Sequence, residues 1–273
     1  MKSVVFLGLI FFLPAILCAQ IPSEQDIVDF LADLNTPLAL TASGGIYNSS
    51  CNLAGIPHFN IDAGITSIGA TIKDPVGQGD LNATISFFHV KATIGLLEGF
   101  NPAPLWKGLM GFEAGIKGFT SPLLGALYKH ADGYPYGFGL LAKLNLLKEE
   151  GTIPAISFTF EYNSLLNTDF SFIDYATNTR ASCSLTQSSF YYHLDLREKL
   201  GVVYVYTGIG WVMPSTDAEY TIDENEGAFT SESISLSKYH LGLSIPIDLV
   251  DVNLEVGQSE SKSFFGASLG FKM

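Results

Sequence analysis

The chain has 273 residues and a formal net charge of −13, with only 15% charged residues, against a typical share of roughly 25%. A disordered chain would be charged and poor in aromatics, and a nucleic-acid binder would carry an excess of cations, so both classes are excluded. No apolar run after residue 19 reaches the roughly 20 residues of a spanning helix, so the apolar content is dispersed.

Lys2, the apolar stretch Val4 to Leu17, and Leu17-Cys18-Ala19 read as a secretory signal peptide over residues 1–19, with the short h-region and small cleavage residue such a segment needs. Leu17 before Cys18 argues against lipidation. The remaining residues suit one large all-β domain or two ordinary ones. Cys51 and Cys183 survive cleavage. In an oxidising compartment they could pair, but their distant, dissimilar segments favour two separate small residues. Without a CxxC, HExxH or Cys/His cluster in the sequence, no metal or cofactor is expected.

Ser23 to Leu34 reads as a helix, with Ser23 as cap, Asp26 three residues on, and Ile27, Leu31 and Leu34 on one face. Asn35-Thr36-Pro37 is expected to stop it. Leu38 to Tyr47 reads as a strand-like piece broken by Gly44-Gly45, followed by a polar loop to Pro57. Residues 20–56 are thus expected to form a helix and plug, and 57–273 a barrel.

From His58 onward the sequence has a period of two. Segment 58–73 changes phase: Phe59, Ile61, Ala63 and Ile65 are odd, Ile68, Ala70 and Ile72 even. A β-bulge near Thr66-Ser67 would keep both halves on one face. Segments 83–97, 108–117, 136–147, 152–163, 184–197, 201–213, 232–247, 249–258 and 265–273 complete the set. In 136–147, for example, Tyr136, Phe138, Leu140, Ala142 and Leu144 oppose Gly137, Gly139, Leu141, Lys143 and Asn145. Such alternation marks strands with one apolar and one polar face. Connections alternate between tight (148–151, 198–201, 246–248) and long (120–133, 164–183, 214–231), as in barrels with a periplasmic and an outer rim. Residues 167–176 read as a hairpin arm above the membrane.

Periodicity cannot say whether the apolar face points in or out. The strands are long enough to cross a bilayer obliquely. The polar face is Gly, Ser, Thr and Asn with few charges, unlike a solvated surface. Trp106, Tyr134, Tyr136, Tyr162, Trp211 and Phe271 sit near strand ends, where interfacial girdles belong. The fold expected is therefore an all-β, antiparallel transmembrane barrel of ten to twelve strands with a short N-terminal helix. The location expected is the bacterial outer membrane.

The polar faces nominate lumen residues. Glu113, Lys117, Lys143 and Glu161 lie on three consecutive strands, joined by His89, Lys91, Asp251 and Glu255. They read either as a selectivity-setting lining or as the ion-paired filling of a narrow barrel. His193, Asp195 and Arg197 share a face. A protease site would need further carboxylates and a phospholipase site a His-x-Ser-Asn, so the three read as lumen charges offsetting one another. No enzyme is expected. The acidic run Asp223-Glu-Asn-Glu226 reads as solvated, or as a divalent-cation loop.

The terminal strand Phe265 to Met273 resembles the C-terminal assembly signal of outer-membrane barrels, with Phe271 in place of a terminal Phe. The helix at 23–34, Gly45-Ile-Tyr47-Asn48 and Phe59-Asn-Ile-Asp62 resemble an uncharacterised outer-membrane barrel family. A helix and hatch before a barrel is also similar to FadL-like long-chain fatty-acid transporters; Asn101-Pro-Ala103 matches their hatch motif but lies too far along the chain to count. The resemblance implies outer-membrane lipid, the barrel-assembly machinery and a small hydrophobic ligand as partners, and no nucleic acid. It implies a passive channel, transporter or binder; the alternative is a structural or surface-interaction barrel with a blocked lumen, and after that a barrel hydrolase.

Overall fold

The computed structural model describes residues 22–44, 56, 58–76, 79–102, 107–123, 131–149, 153–174, 179–260 and 262–272. The signal segment, Tyr47, Cys51 and Trp106 lie outside them, and with them the expectations placed there.

Among the described residues one helix, α1 (Glu24–Ala42), precedes eleven strands: β1 (Phe59–Lys73), β2 (Asp80–Leu97), β3 (Gly111–Leu123), β4 (Tyr136–Leu147), β5 (Ala155–Asp174), β6 (Thr179–Leu200), β7 (Val203–Ile222), β8 (Asn225–Thr230), β9 (Leu236–Ile247), β10 (Val250–Ser259) and β11 (Lys262–Lys272). All neighbours are antiparallel, and the ring closes where β1 pairs β11, Asn60 opposite Lys272 through Ile68 opposite Phe264. β6 pairs β7, and β7 pairs β9, so ten strands form the wall. β8 pairs only the outer end of β7, as a hairpin arm. Closure leaves the ten-stranded wall without an edge, which is the condition for a sheet to sit in lipid.

The outer surface is apolar all round. Val90, Ile116, Leu140 and Leu241, on four different strands, are more than half exposed. An aromatic row crosses β5, β6 and β7 on this face. Tyr162 meets Phe190 at 5.1 Å between ring centroids, and Tyr192 stacks on Trp211 at 5.4 Å. The inward face carries the charged and amide side chains. An apolar exterior around a polar interior is the pattern of a transmembrane barrel. No described helix is long and apolar enough to cross a membrane; the strands do the crossing.

The β-bulge expected in β1 near Thr66-Ser67 is absent. Its register against β2 runs unbroken from Phe59 opposite Ile94 to Lys73 opposite Asp80. Ile68, Ala70 and Ile72 therefore point inward, where they are buried. The reason is α1, which occupies the half of the barrel away from the C-terminus. Ile27, Phe30, Leu31 and Leu34 pack there against Ile68, Ile72, Phe87, Phe170 and Phe172. Phe30 meets Phe170 and Phe172 edge-on at 5.4 and 5.0 Å. The interior thus has two halves: an apolar upper half around the helix, and a polar lower half towards the rim where β1 starts and β11 ends.

The helix also runs further than expected. It passes through Pro37 and ends at Ala42, so residues 38–42 are helical rather than strand-like. Proline inside a helix costs about 3 kcal/mol, because it lacks an N–H and its ring crowds the preceding turn. Leu34, Leu38 and Leu40 on either side are fully buried, each contributing about 1.5–3 kcal/mol, which offsets that cost.

Residues 164–174, 179–183 and 214–222 are not loops. They are the outer ends of β5, β6 and β7, which reach 20, 22 and 20 residues, and residues 225–230 are β8. Of the arm expected at 167–176, residues up to Asp174 are the far end of β5 paired to β6, after a register shift between Leu165 and Thr168; residues 175 and 176 lie outside the described residues.

Candidate functional site in the barrel interior

Every nominated lumen residue lies on an inward-facing position: His89, Lys91, Glu113, Lys117, Lys143, Glu161, His193, Asp195, Arg197, Asp251 and Glu255 are all at 6% exposure or less. Alternation does this. Each sits one residue from an apolar neighbour on the lipid face, and the pleat sends the two to opposite sides.

The wall holds α1 at both ends. At the upper end Ser23 and Asp26 form a reciprocal cap. Lys73, the last residue of β1, reaches Asp26 at 3.0 Å and Asp29 at 2.7 Å, and its backbone N–H donates to Asp33. The Ser23 hydroxyl, followed by the Lys73 ammonium, holds Asp26 below the ordinary carboxylate range. Lys73, followed by Gln25, does the same for Asp29. Tyr220 donates to Glu24 at 2.6 Å. At the lower end the helix has no basic residue in its last turn; the wall supplies the charge instead. Lys117 donates to the carbonyls of Ala42 at 2.6 Å and Gly44 at 3.2 Å, and Lys238 to that of Ser43 at 3.3 Å. Cations belong at the negative end of a helix dipole, so two ammonium groups cap three orphan carbonyls. Midway, Asn35 is tied to Gln187 and Thr216 within an otherwise apolar layer.

Below the helix the charges are brought into contact. Lys117 also pairs with Glu161. Lys91 faces Asp62 at 3.5 Å, Asn145 donates to Glu113 at 2.7 Å, and Lys272 pairs with Asp251 at the lower rim. Glu113 and Lys143 are register partners across β3 and β4. The Arg197 guanidinium stacks 3.7 Å from the centroid of Tyr204. His193 Nδ1 lies 2.5 Å from Asp195 Oδ2, and His240 Nε2 lies 2.8 Å from Asp195 Oδ1. His89 stands apart from these contacts, against Gly64.

Asp62, Lys238 and His240 were missed by the sequence reading. The signal was present: Lys238, His240, Gly242 and Ser244 alternate with Tyr239, Leu241, Leu243 and Ile245, and Asn60 and Asp62 alternate with Phe59, Ile61 and Ala63. The acidic run 223–226 is exposed: 223 and 224 are the turn joining β7 to β8, and 225 and 226 begin β8. On the outer wall, Ala63, Ile65, Phe88, Val90, Leu254 and Ala267 help line an apolar recess of about 850 Å³.

No family model and no curated protein matches the chain. Its fold is similar to solved outer-membrane barrels. The translocator domain of the autotransporter NalP from Neisseria meningitidis is 11% identical with a TM-score of 0.48, covering 93% of this chain and 100% of that one. The outer membrane protease OmpT from Escherichia coli is 10% identical at 0.45, covering 81% and 99%. The transport unit of the autotransporter AIDA-I from Escherichia coli is 12% identical at 0.45, covering 89% and 98%. These are likenesses of overall fold, and they do not single out the FadL-like transporters.

Proposed function

We propose that the chain is a bacterial outer-membrane barrel sealed by its own N-terminal helix, which works at its outer surface rather than as an open channel. The observation that carries this reading is the double anchoring of α1. An apolar plug would need only the packing of Phe30 and its neighbours. Here the wall also places Lys73 at one helix end and Lys117 and Lys238 at the other. A helix so held inside the barrel opposes diffusion through it. The long ends of β5, β6 and β7, with β8, then stand above the bilayer as the part available to partners. They expose Asp217, Glu219, Asp223, Glu224 and Glu226, which suits a cationic partner surface.

Single-channel recording in planar bilayers tests the seal. The intact barrel should show no stable open level, and a chain lacking residues 23–44 should insert and conduct. A stable open level in the intact barrel would overturn the reading; so would a deletion that inserts and stays closed. A second reading keeps a small hydrophobic ligand, entering from the bilayer, and is favoured by the apolar recess on the outer wall. A ligand bound there would be retained after the helix is deleted.

A further inference from the structure

The two strands that flank β7 send side chains towards each other across it. Asp195 of β6 and His240 of β9 are both register partners of Gly208, and His193 of β6 is a partner of Gly210. Strands β6 and β9 are two sheet spacings apart, about 9.5 Å, and an ordinary side chain on β7 would separate them. Gly208 does not. A Cβ added there would collide with Asp195 Oδ1 and with the His240 ring. The glycine face of β7 therefore acts as a floor on which two imidazoles and one carboxylate converge.

The convergence is tight. One ligand atom from each of His193, Asp195 and His240 falls within 4.8 Å of the others. Around a four-coordinate zinc ion, with bonds of about 2.0–2.2 Å to nitrogen and oxygen at tetrahedral angles, ligand atoms stand about 3.4 Å apart. The two His–Asp contacts, at 2.5 and 2.8 Å, open by about 1 Å or less and the widest separation closes by up to about 1.4 Å, shifts that side-chain rotation can supply. All three residues are at 3% exposure or less. Glu255 of β10 and Lys238 of β9 are also buried on the inner face.

We propose that His193, Asp195 and His240 form a site for one divalent transition ion of the zinc type, bound by two imidazole nitrogens and a carboxylate oxygen. Imidazole ligands select zinc, cobalt or nickel over calcium and magnesium, which take oxygen. Three protein ligands leave a fourth position to water from the polar lower half of the barrel. The ion staples β6 to β9 over β7, and entry is from the lower rim. The acidic run at 223–226 is a separate place and has no imidazole.

The probe is cobalt(II) alone, titrated into the folded, chelator-treated full-length barrel in detergent. The expected result is one equivalent bound, with the intense visible bands of a four-coordinate ion, displaced by zinc. His240→Gln and Gly208→Ala should each weaken binding. Disturbing groups outside the ligand set costs about 10–100-fold, so the loss for His240→Gln should be at least about 100-fold. Glu226→Gln, on the exposed β7–β8 hairpin, should bind as the parent does. Binding lost with Glu226→Gln and kept with His240→Gln would overturn the site, as would no bound cobalt in the parent. If His240→Gln fails to fold, X-ray absorption of the zinc-loaded parent decides: two imidazole nitrogens support the site, and an all-oxygen shell overturns it.

Discussion

Lys117 shows how much one side chain can hold. Its ammonium group meets Glu161 and two carbonyls at the end of α1, so wall and plug share a single buried charge. Removing one partner of a buried pair typically costs about 3–5 kcal/mol, because the other charge stays desolvated and alone. Lys117→Met should therefore destabilise the barrel by about that amount, measured by urea unfolding in detergent. Adding Glu161→Gln should restore part of it, since the orphaned charge is gone. If Lys117→Met unfolds at the parent urea concentration, the latch contributes nothing. At this scale the sequence was informative for charge and silent on contact. Alternation placed Lys117 and Glu161 on the inner face, but their meeting depends on register, and the carbonyls of Ala42 and Gly44 depend on a helix end read as lying elsewhere.

Among the elements, α1 and β1 explain each other, and both were misread for the same reason. A proline and a change of apolar phase are local signals. Each means a break only if the surroundings are the usual ones. Inside this barrel they are not: the helix continues through Pro37 because apolar wall surrounds it, and Ile68 and Ile72 leave the lipid face because the helix is there to cover them. The bulge expected at Thr66-Ser67 falls with the unbroken β1 register. The upper end of α1 should respond to acid. Asp26 and Asp29 are held below their ordinary value of 3.8 in the folded chain. A lowered carboxylate contributes stability that is present above its unfolded pKa and lost as the pH falls through the folded one. Hydrogen-exchange protection of the first turns of α1 should thus be the same from about pH 7 to pH 5 and fall below about pH 4. The turns near Pro37, which carry no such carboxylate, should keep theirs. Uniform loss along the helix would place its stability elsewhere.

For the molecule as a whole, the period-two pattern was enough to read a closed antiparallel barrel. What it could not supply was the division of the interior. An apolar residue facing a plug and an apolar residue facing lipid look identical in sequence, so the upper ends of β5, β6 and β7 read as loops once their outward faces turned polar. The division sets what each surface tolerates. Leu140 is 52% exposed in the middle of β4, on the lipid face, whereas Val202 is 80% exposed in the turn between β6 and β7 at the lower rim. Arginine near mid-bilayer costs about 2–4 kcal/mol, and near the interface about 0–1. Leu140→Arg should therefore lower the heat-modifiable, folded fraction recovered from membranes, and Val202→Arg should leave it near the parent level. Ser157 provides a control from inside: it faces the packed polar half and is 2% exposed, so Ser157→Arg should also fail, by overfilling rather than by exposure to lipid. Shortening the acyl chains of the bilayer separates the two causes. A thinner membrane brings position 140 closer to water and should partly rescue Leu140→Arg, while the clash at 157 is indifferent to lipid. Equal rescue of both, or of neither, would mean that the apolar surface of this barrel is not its lipid face.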